Sequence, residues 1–124
     1  MAGMTSIPTR AGFLRARNAG EKAVAKGMVI QAVYSGQTGS RLGITASKKI
    51  GNAVARNLAR RRLRALAQDI LQPIAKPGVD YVLIARFDTG ARPWIKLGDD
   101  MQKAVGYLHR KLIDKRPESR SDAR

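Results

Sequence analysis

Residues 41–64 read RLGITASKKIGNAVARNLARRRLR, and this stretch sets the architecture. Residues 41–47 alternate as a strand does: Leu42, Ile44 and Ala46 share one face, and Arg41, Gly43, Thr45 and Ser47 share the other. One face is apolar and the other small, polar or basic, the pattern of a sheet half open to a ligand. A long helix then opens at Gly51 or Asn52 and runs to about Leu71, where Pro73 ends it.

At about 100° per residue, and with Arg56 set at zero, Arg60 falls near 40°, Arg64 near 80°, Asn57 near 100° and Arg61 near 140°. Leu58, Ala55, Leu66, Ala59, Ile70 and Leu63 fill the arc from roughly 200° to 340°. A basic stripe and a core stripe therefore lie on opposite sides of one helix. Arg62, near 240°, intrudes on the apolar arc and must snorkel past its neighbours or reach out at an edge. Lys48, Lys49 and Gly51 sit in the turn before the helix, where exposed N–H groups and the positive dipole end favour anions. Arginine suits such a surface because its planar fork engages two phosphate oxygens at once and stacks on bases.

Outward from this stretch, residues 9–18 predict a helix with Thr9 as N-cap and Gly20 as stop. Residues 28–34 predict a strand, and residues 35–40 (SGQTGS) a hairpin loop joining it to the strand at 41–47. Residues 80–86 (DYVLIAR) are apolar almost throughout, as in a central strand. Pro93 starts a last helix, along which Leu97, Met101, Ala104, Val105, Leu108 and Leu112 keep the spacing of a core stripe. The order helix, strand, strand, helix, strand, helix makes an α/β sandwich with its helices largely on one side.

The chain's 124 residues make one small domain, here expected to span residues 9–113 after a flexible segment at 1–8. Twenty-four Lys and Arg face nine Asp and Glu, a formal charge of +15 whose self-repulsion is tolerated where a polyanion neutralises it. Residues 22–68 contain no acid but ten basic residues, seven of them between positions 48 and 64. A solvated helix face normally mixes both signs, so this run points to a polyanion site. The lack of cysteine excludes a disulfide scaffold, a thiolate zinc site and a thiol nucleophile. Apolar runs are strand-sized, so no membrane span is expected, and no secretory signal is evident. Residues 114–124 mix both charges around Pro117 with hardly an apolar side chain, the composition of a disordered tail.

Nothing builds a hydrolytic centre or a metal site. His109 is the only histidine and reads as surface or helix-end filler. Asp99 and Asp100, neighbours on a helix, point about 100° apart and fit better as favourable first-turn charges. Asp69, Asp80 and Asp88 are scattered among element ends.

The run Ser47-Lys48-Lys49-Ile50-Gly51-Asn52-Ala53-Val54-Ala55-Arg56-Asn57, continued by Arg60-Arg61-Arg62-Leu63-Arg64, closely resembles the hallmark motif of the bacterial ribonuclease P protein subunit. Arg41-Leu42-Gly43-Ile44, Tyr81-Val82-Leu83-Ile84-Ala85-Arg86 and Arg10-Ala11-Gly12-Phe13 resemble its second strand, later strand and first helix. The resemblance covers about residues 7–113. It implies an α-β-β-β-α-β-α sandwich with a left-handed crossover, like a ribosomal-protein domain. The strand missing from the linear reading would lie within residues 22–27 or come from splitting the hairpin.

The resemblance also implies that the protein assists removal of the 5′ leader of precursor tRNA, with ribonuclease P RNA and precursor tRNA as its partners. It implies that catalysis and Mg²⁺ belong to the RNA, that the protein alone binds no cofactor, and that the particle is cytoplasmic with no obligate protein partner. Lys48, Lys49, Asn52, Arg56, Asn57, Arg60, Arg61 and Arg64 match the motif and would contact RNA. Phe13 matches a cleft aromatic, and Thr45 lies on the cleft face of its strand. Leu58 stands where the family often has a further arginine, Arg17 where some members place a second aromatic, and Gln31 where some place tyrosine. Leader binding is then expected to lean more on hydrogen bonds and charge than on stacking. The alternatives are a structural, ribosomal-type RNA-binding protein without a substrate cleft, and an architectural DNA-binding protein. The latter lacks a helix-turn-helix spacing or a minor-groove wedge.

Overall fold

The apolar segment at residues 79–85 takes the middle of a five-stranded sheet. In the computed structural model, which describes residues 4–113, the strands are β1 (Thr5–Ser6), β2 (Glu21–Val24), β3 (Met28–Tyr34), β4 (Arg41–Thr45) and β5 (Val79–Ala85). Their order across the sheet is β1-β4-β5-β3-β2. Helices α1 (Arg10–Ala19), α2 (Ala53–Leu66) and α3 (Trp94–Ile113) complete the α-β-β-β-α-β-α succession, preceded by the short β1. The remaining strand is β2, antiparallel to β3.

β5 is covered on both faces and runs parallel to β4 and antiparallel to β3. The 35–40 segment is therefore not a hairpin loop, because β5 lies between the two strands it joins. Alternation plus a Gly-rich reversal specifies two strands but not their adjacency, and the more apolar β5 buries more surface in the central slot. The loop clasps the turn before β5 instead. Ser35 N–H donates to the Gly78 carbonyl at 2.8 Å and Gly78 N–H to the Gly39 carbonyl at 3.3 Å. Gly78 has φ +79°, a conformation that favours glycine there.

The sheet has two unequal faces. α2 and α3 cover one, packing Leu63, Leu66, Leu97, Met101, Val105 and Leu108 onto Met28, Ile30, Tyr81 and Leu83. All six apolar positions expected along α3 are buried. The helices are not all on that side: α1 covers part of the other face, where Ile7, Ala16, Val33 and Val82 form a smaller cluster with Phe13 and Ile84. With only Phe13 and Leu14 as large apolar side chains, α1 buries a short patch and leaves the rest of that face open.

The N-terminal segment is ordered from residue 4 rather than flexible to residue 8. Thr5 and Ser6 pair in parallel with Arg41 and Leu42, and Ile7 is buried under α1. One isoleucine in a polar stretch carries no periodicity, so local sequence did not announce it. The tail expected at 114–124 lies outside the described residues. Past Leu66 the motif helix widens into a π-turn at Ala67–Leu71, and Pro73 falls in a further 3₁₀ turn, Gln72–Ile74.

Two carboxylates, one fully buried and one partly buried, depart from the sequence reading. Asp80 is fully buried and takes two hydrogen bonds from Arg41, Nε to Oδ1 at 2.8 Å and Nη2 to Oδ2 at 2.7 Å. Asp100 is not a first-turn charge on α3. It pairs with Arg92 at 2.5 Å and accepts from Gly27 N–H at 3.0 Å.

His109 is likewise a structural partner and not filler. The hydroxyl of buried Tyr81 accepts from Lys76 N–H at 2.9 Å and shares a hydrogen bond with His109 Nε2 at 2.7 Å. Burial pushes the Tyr81 pKa up to about 12. Burial, aided by the Lys76 charge, lowers the His109 pKa below its ordinary 6.5. The folded state thus binds this proton less readily than the unfolded chain. Stability is retained above the unfolded value and lost as pH falls from about 6.5 through the lowered native value. Thermal melts between about pH 7 and pH 5 should show this loss in the wild type, and His109→Gln should flatten it. Parallel curves would show that another group carries the dependence.

Candidate nucleic-acid interface

The motif helix is built by its own lead-in. Ser47 Oγ accepts from Lys49 N–H at 3.3 Å and caps a 3₁₀ turn, Lys48–Ile50, that leaves both lysines exposed. Gly51 follows with φ +143°, a conformation that side chains rarely adopt. Asn52 is the N-cap of α2, its Oδ1 accepting from Ala55 N–H at 2.9 Å. Its carbonyl oxygen is spent on the helix, so only its amide NH₂ can face a ligand.

Along α2, Arg56 folds back to donate to the Gly51 carbonyl at 2.8 Å. Arg60 donates to Asn57 Oδ1 at 3.0 Å and more weakly to the Ala46 carbonyl at 3.4 Å, tying the helix to the end of β4. These contacts hold the guanidiniums in place without neutralising them. Arg61 and Arg64 are exposed. Among the described residues no carboxylate lies within ion-pair distance of any α2 arginine; the two ion pairs are Arg41–Asp80 and Arg92–Asp100. An exposed, uncompensated stripe of this kind attracts phosphates.

Arg62 leaves the stripe, as its position on the wheel required. It donates to the Thr89 and Arg92 carbonyls at 2.5 and 2.6 Å and sits 5.4 Å from the centroid of the Trp94 ring. It therefore clamps the start of α3 to α2 and is unavailable to a ligand.

The open sheet face holds a cleft. Phe13, Arg17, Gln31 and Thr45 all line one cavity of about 360 Å³, together with Arg10, Leu14, Val82 and Ile84. The α1 contributors fall at positions 10, 13, 14 and 17, one helical face. That spacing would have found Arg10 and Leu14 from sequence. Val82 and Ile84 follow from β5 being central. The Phe13 ring lies against Gly43, where a Cβ would come within 2.5 Å of it. Glycine at this site lets the aromatic ring lie on the strand. The cleft and the stripe meet at the end of β4: Thr45 lines the cleft, and the next residue, Ala46, accepts from Arg60.

The chain matches the family profile described as Ribonuclease P over residues 1–109. It is 45% identical over 112 residues to the "Ribonuclease P protein component" of Ruegeria pomeroyi, covering 87% of this chain and 89% of that protein. Against the protein of the same name from Paramagnetospirillum magneticum it is 37% identical, covering 97% and 96%. Among solved structures, the RNase P protein of Staphylococcus aureus superimposes with a TM-score of 0.70 at 24% identity, over 82% of this chain and 93% of that one. The RNase P protein of Thermotoga maritima gives 0.69 at 23% identity, over 85% and 96%. At those identities the structural matches speak to the fold.

Arg61→Ala combined with Arg64→Ala should reduce the slope of log affinity for structured RNA against log salt by about 1.4 to 1.8, at 0.7 to 0.9 per lost phosphate contact. Melting should be unchanged, since both side chains are exposed; an unaltered slope would remove the phosphate role. Gly43→Val should displace Phe13 and weaken single-strand RNA binding by roughly ten-fold, the scale of one lost stacking contact. A crystal structure or a titration showing the ring and the affinity unmoved would contradict the cleft geometry.

Proposed function

This chain belongs to the ribonuclease P protein family, and from that premise we propose how its surfaces divide the work of the ribonucleoprotein. As a ribonuclease P protein component it partners the ribonuclease P RNA. Lys48, Lys49 and the α2 arginines Arg56, Arg60, Arg61 and Arg64 dock on that RNA, with the Asn52 amide and Asn57 beside them. The cleft takes the single-stranded 5′ leader of precursor tRNA. Phe13 stacks on a base, Gln31 and Thr45 offer hydrogen bonds to base edges or sugars, and Arg10 and Arg17 hold phosphates.

The leader then acts as a handle. Precursor tRNA touches both RNA and protein, whereas the mature product lacks the leader and loses the protein contacts. The cleft therefore adds affinity for substrate without retaining product. The α2 cations stand among phosphates that would otherwise require metal ions to bring them together, so the protein lowers the Mg²⁺ needed for assembly.

Hydrolysis and its Mg²⁺ lie with the RNA. Of the described carboxylates, Asp80 is consumed by Arg41 and Asp100 by Arg92 and Gly27. Among the described residues no three His, Cys, Asp or Glu converge. Likewise no described helix is long and apolar enough to cross a membrane.

One observation carries this: Phe13 and Arg17 of α1, Gln31 of β3 and Thr45 of β4 line a single cavity that adjoins the basic helix. Reconstitution with a bacterial ribonuclease P RNA at low Mg²⁺ tests it. The wild-type chain should stimulate leader release, and Phe13→Ala should weaken precursor binding by roughly ten-fold while leaving mature tRNA binding unchanged. Equal losses for both RNAs would leave a structural RNA-binding protein without a substrate cleft.

A further inference from the structure

A second groove of about 450 Å³ lies at the opposite edge of the sheet, between β2 and α3. Its cations are Lys22 and Lys26 from β2 and the turn after it, and Lys103 from α3. Tyr107 lines it and is 41% exposed, with Lys111 Nζ 5.6 Å from its ring centroid. Asp100 is the one acid in the lining, already paired with Arg92. Among the described residues no carboxylate is within ion-pair distance of Lys22, Lys26 or Lys103. A basic groove with one available aromatic ring is the chemistry that tracks single-stranded nucleic acid.

Strand register connects this groove to the cleft. Lys22 pairs with Gln31, which pairs with Val82. Residues directly opposite in a sheet share a face, so Lys22 projects from the cleft face in the same cross-sheet row as two cleft residues. The neighbouring row runs Thr45, Ile84, Val29, Val24, and Val24 at its end is 61% exposed. From β4 to β2 the rows cross three interstrand spacings, about 14 Å.

We propose that the upstream part of the RNA leader, after leaving the cleft, crosses this row and turns over the β2 edge into the groove. Its phosphates lie on Lys22, Lys26 and Lys103, and one base stacks on Tyr107. This extends the leader reading given above and depends on it. It assigns the groove to the substrate and not to the ribonuclease P RNA.

The test uses the reconstituted ribonucleoprotein and precursor tRNAs with leaders of about four and about twelve nucleotides, one at the lower end of single-strand site sizes and one well inside them. The wild type should bind the long-leader substrate more tightly. Lys22→Ala/Lys26→Ala/Lys103→Ala should abolish that advantage, lowering the salt slope for the long leader by about 2, while short-leader affinity holds. Tyr107→Ala should lose roughly ten-fold for the long leader only, and Tyr107→Phe should restore it. A triple variant that still gains from the long leader would overturn the proposal. So would one that instead loses affinity for the ribonuclease P RNA, which would make that RNA the occupant. If the wild type bound precursor and mature tRNA alike, the leader reading itself would have failed, a different result from either.

Discussion

Asp80 lies fully buried in β5 and receives both hydrogen bonds of its fork from Arg41, its register partner in β4. Buried ion pairs contribute little net stability compared with apolar packing, yet losing one partner costs about 3–5 kcal/mol because a charge is stranded. What such a pair supplies is specificity of register. A one-residue slip of β4 would strand Asp80 and turn Thr45 away from the open face. With β4 held, Gly43 receives the Phe13 ring, Thr45 lines the cleft, and the chain leaves the strand at the turn that carries Lys48 and Lys49.

From that register the two faces of the sheet acquire different tasks. The face under α2 and α3 is packed with large apolar side chains and supplies the core. The other carries only the small α1 cluster, so its remaining surface is concave and accessible. The basic stripe of α2 points away from the core that its other side builds. Arg56 and Arg60 are ordered by carbonyls and an amide oxygen and not by carboxylates. Neutral acceptors position the guanidiniums while their full charge stays available, an arrangement suited to a polyanion partner.

Local physics made much of this legible. Thr9 caps α1, Gly20 stops it, Asn52 caps α2, and β3 occupies the stretch 28–34 expected as a strand. The basic stripe followed from helical geometry, and Arg62's separation from it did too. Features needing the third dimension were not legible. β5 inserts between β3 and β4 because its apolar surface earns the central slot, which no loop sequence encodes. Ile7 is buried only because α1 folds over it. His109 and Asp100 read as surface groups because their partners, Tyr81, Arg92 and Gly27, are remote in the chain or on another element. The cleft residues Phe13 and Thr45 came from family resemblance, whereas Arg10 and Leu14 were present in the spacing of α1.

The proposed division of labour puts one RNA on the helix and another strand in the cleft. Site-specific photocrosslinking in the assembled ribonucleoprotein tests it most directly. A photoreactive base placed in the precursor leader should yield adducts on α1, β3 and β4 residues around Phe13, Gln31 and Thr45. The same base in the ribonuclease P RNA should label α2 and its lead-in turn. Leader adducts concentrated on Arg61 and Arg64, with the cleft unlabelled, would contradict the account.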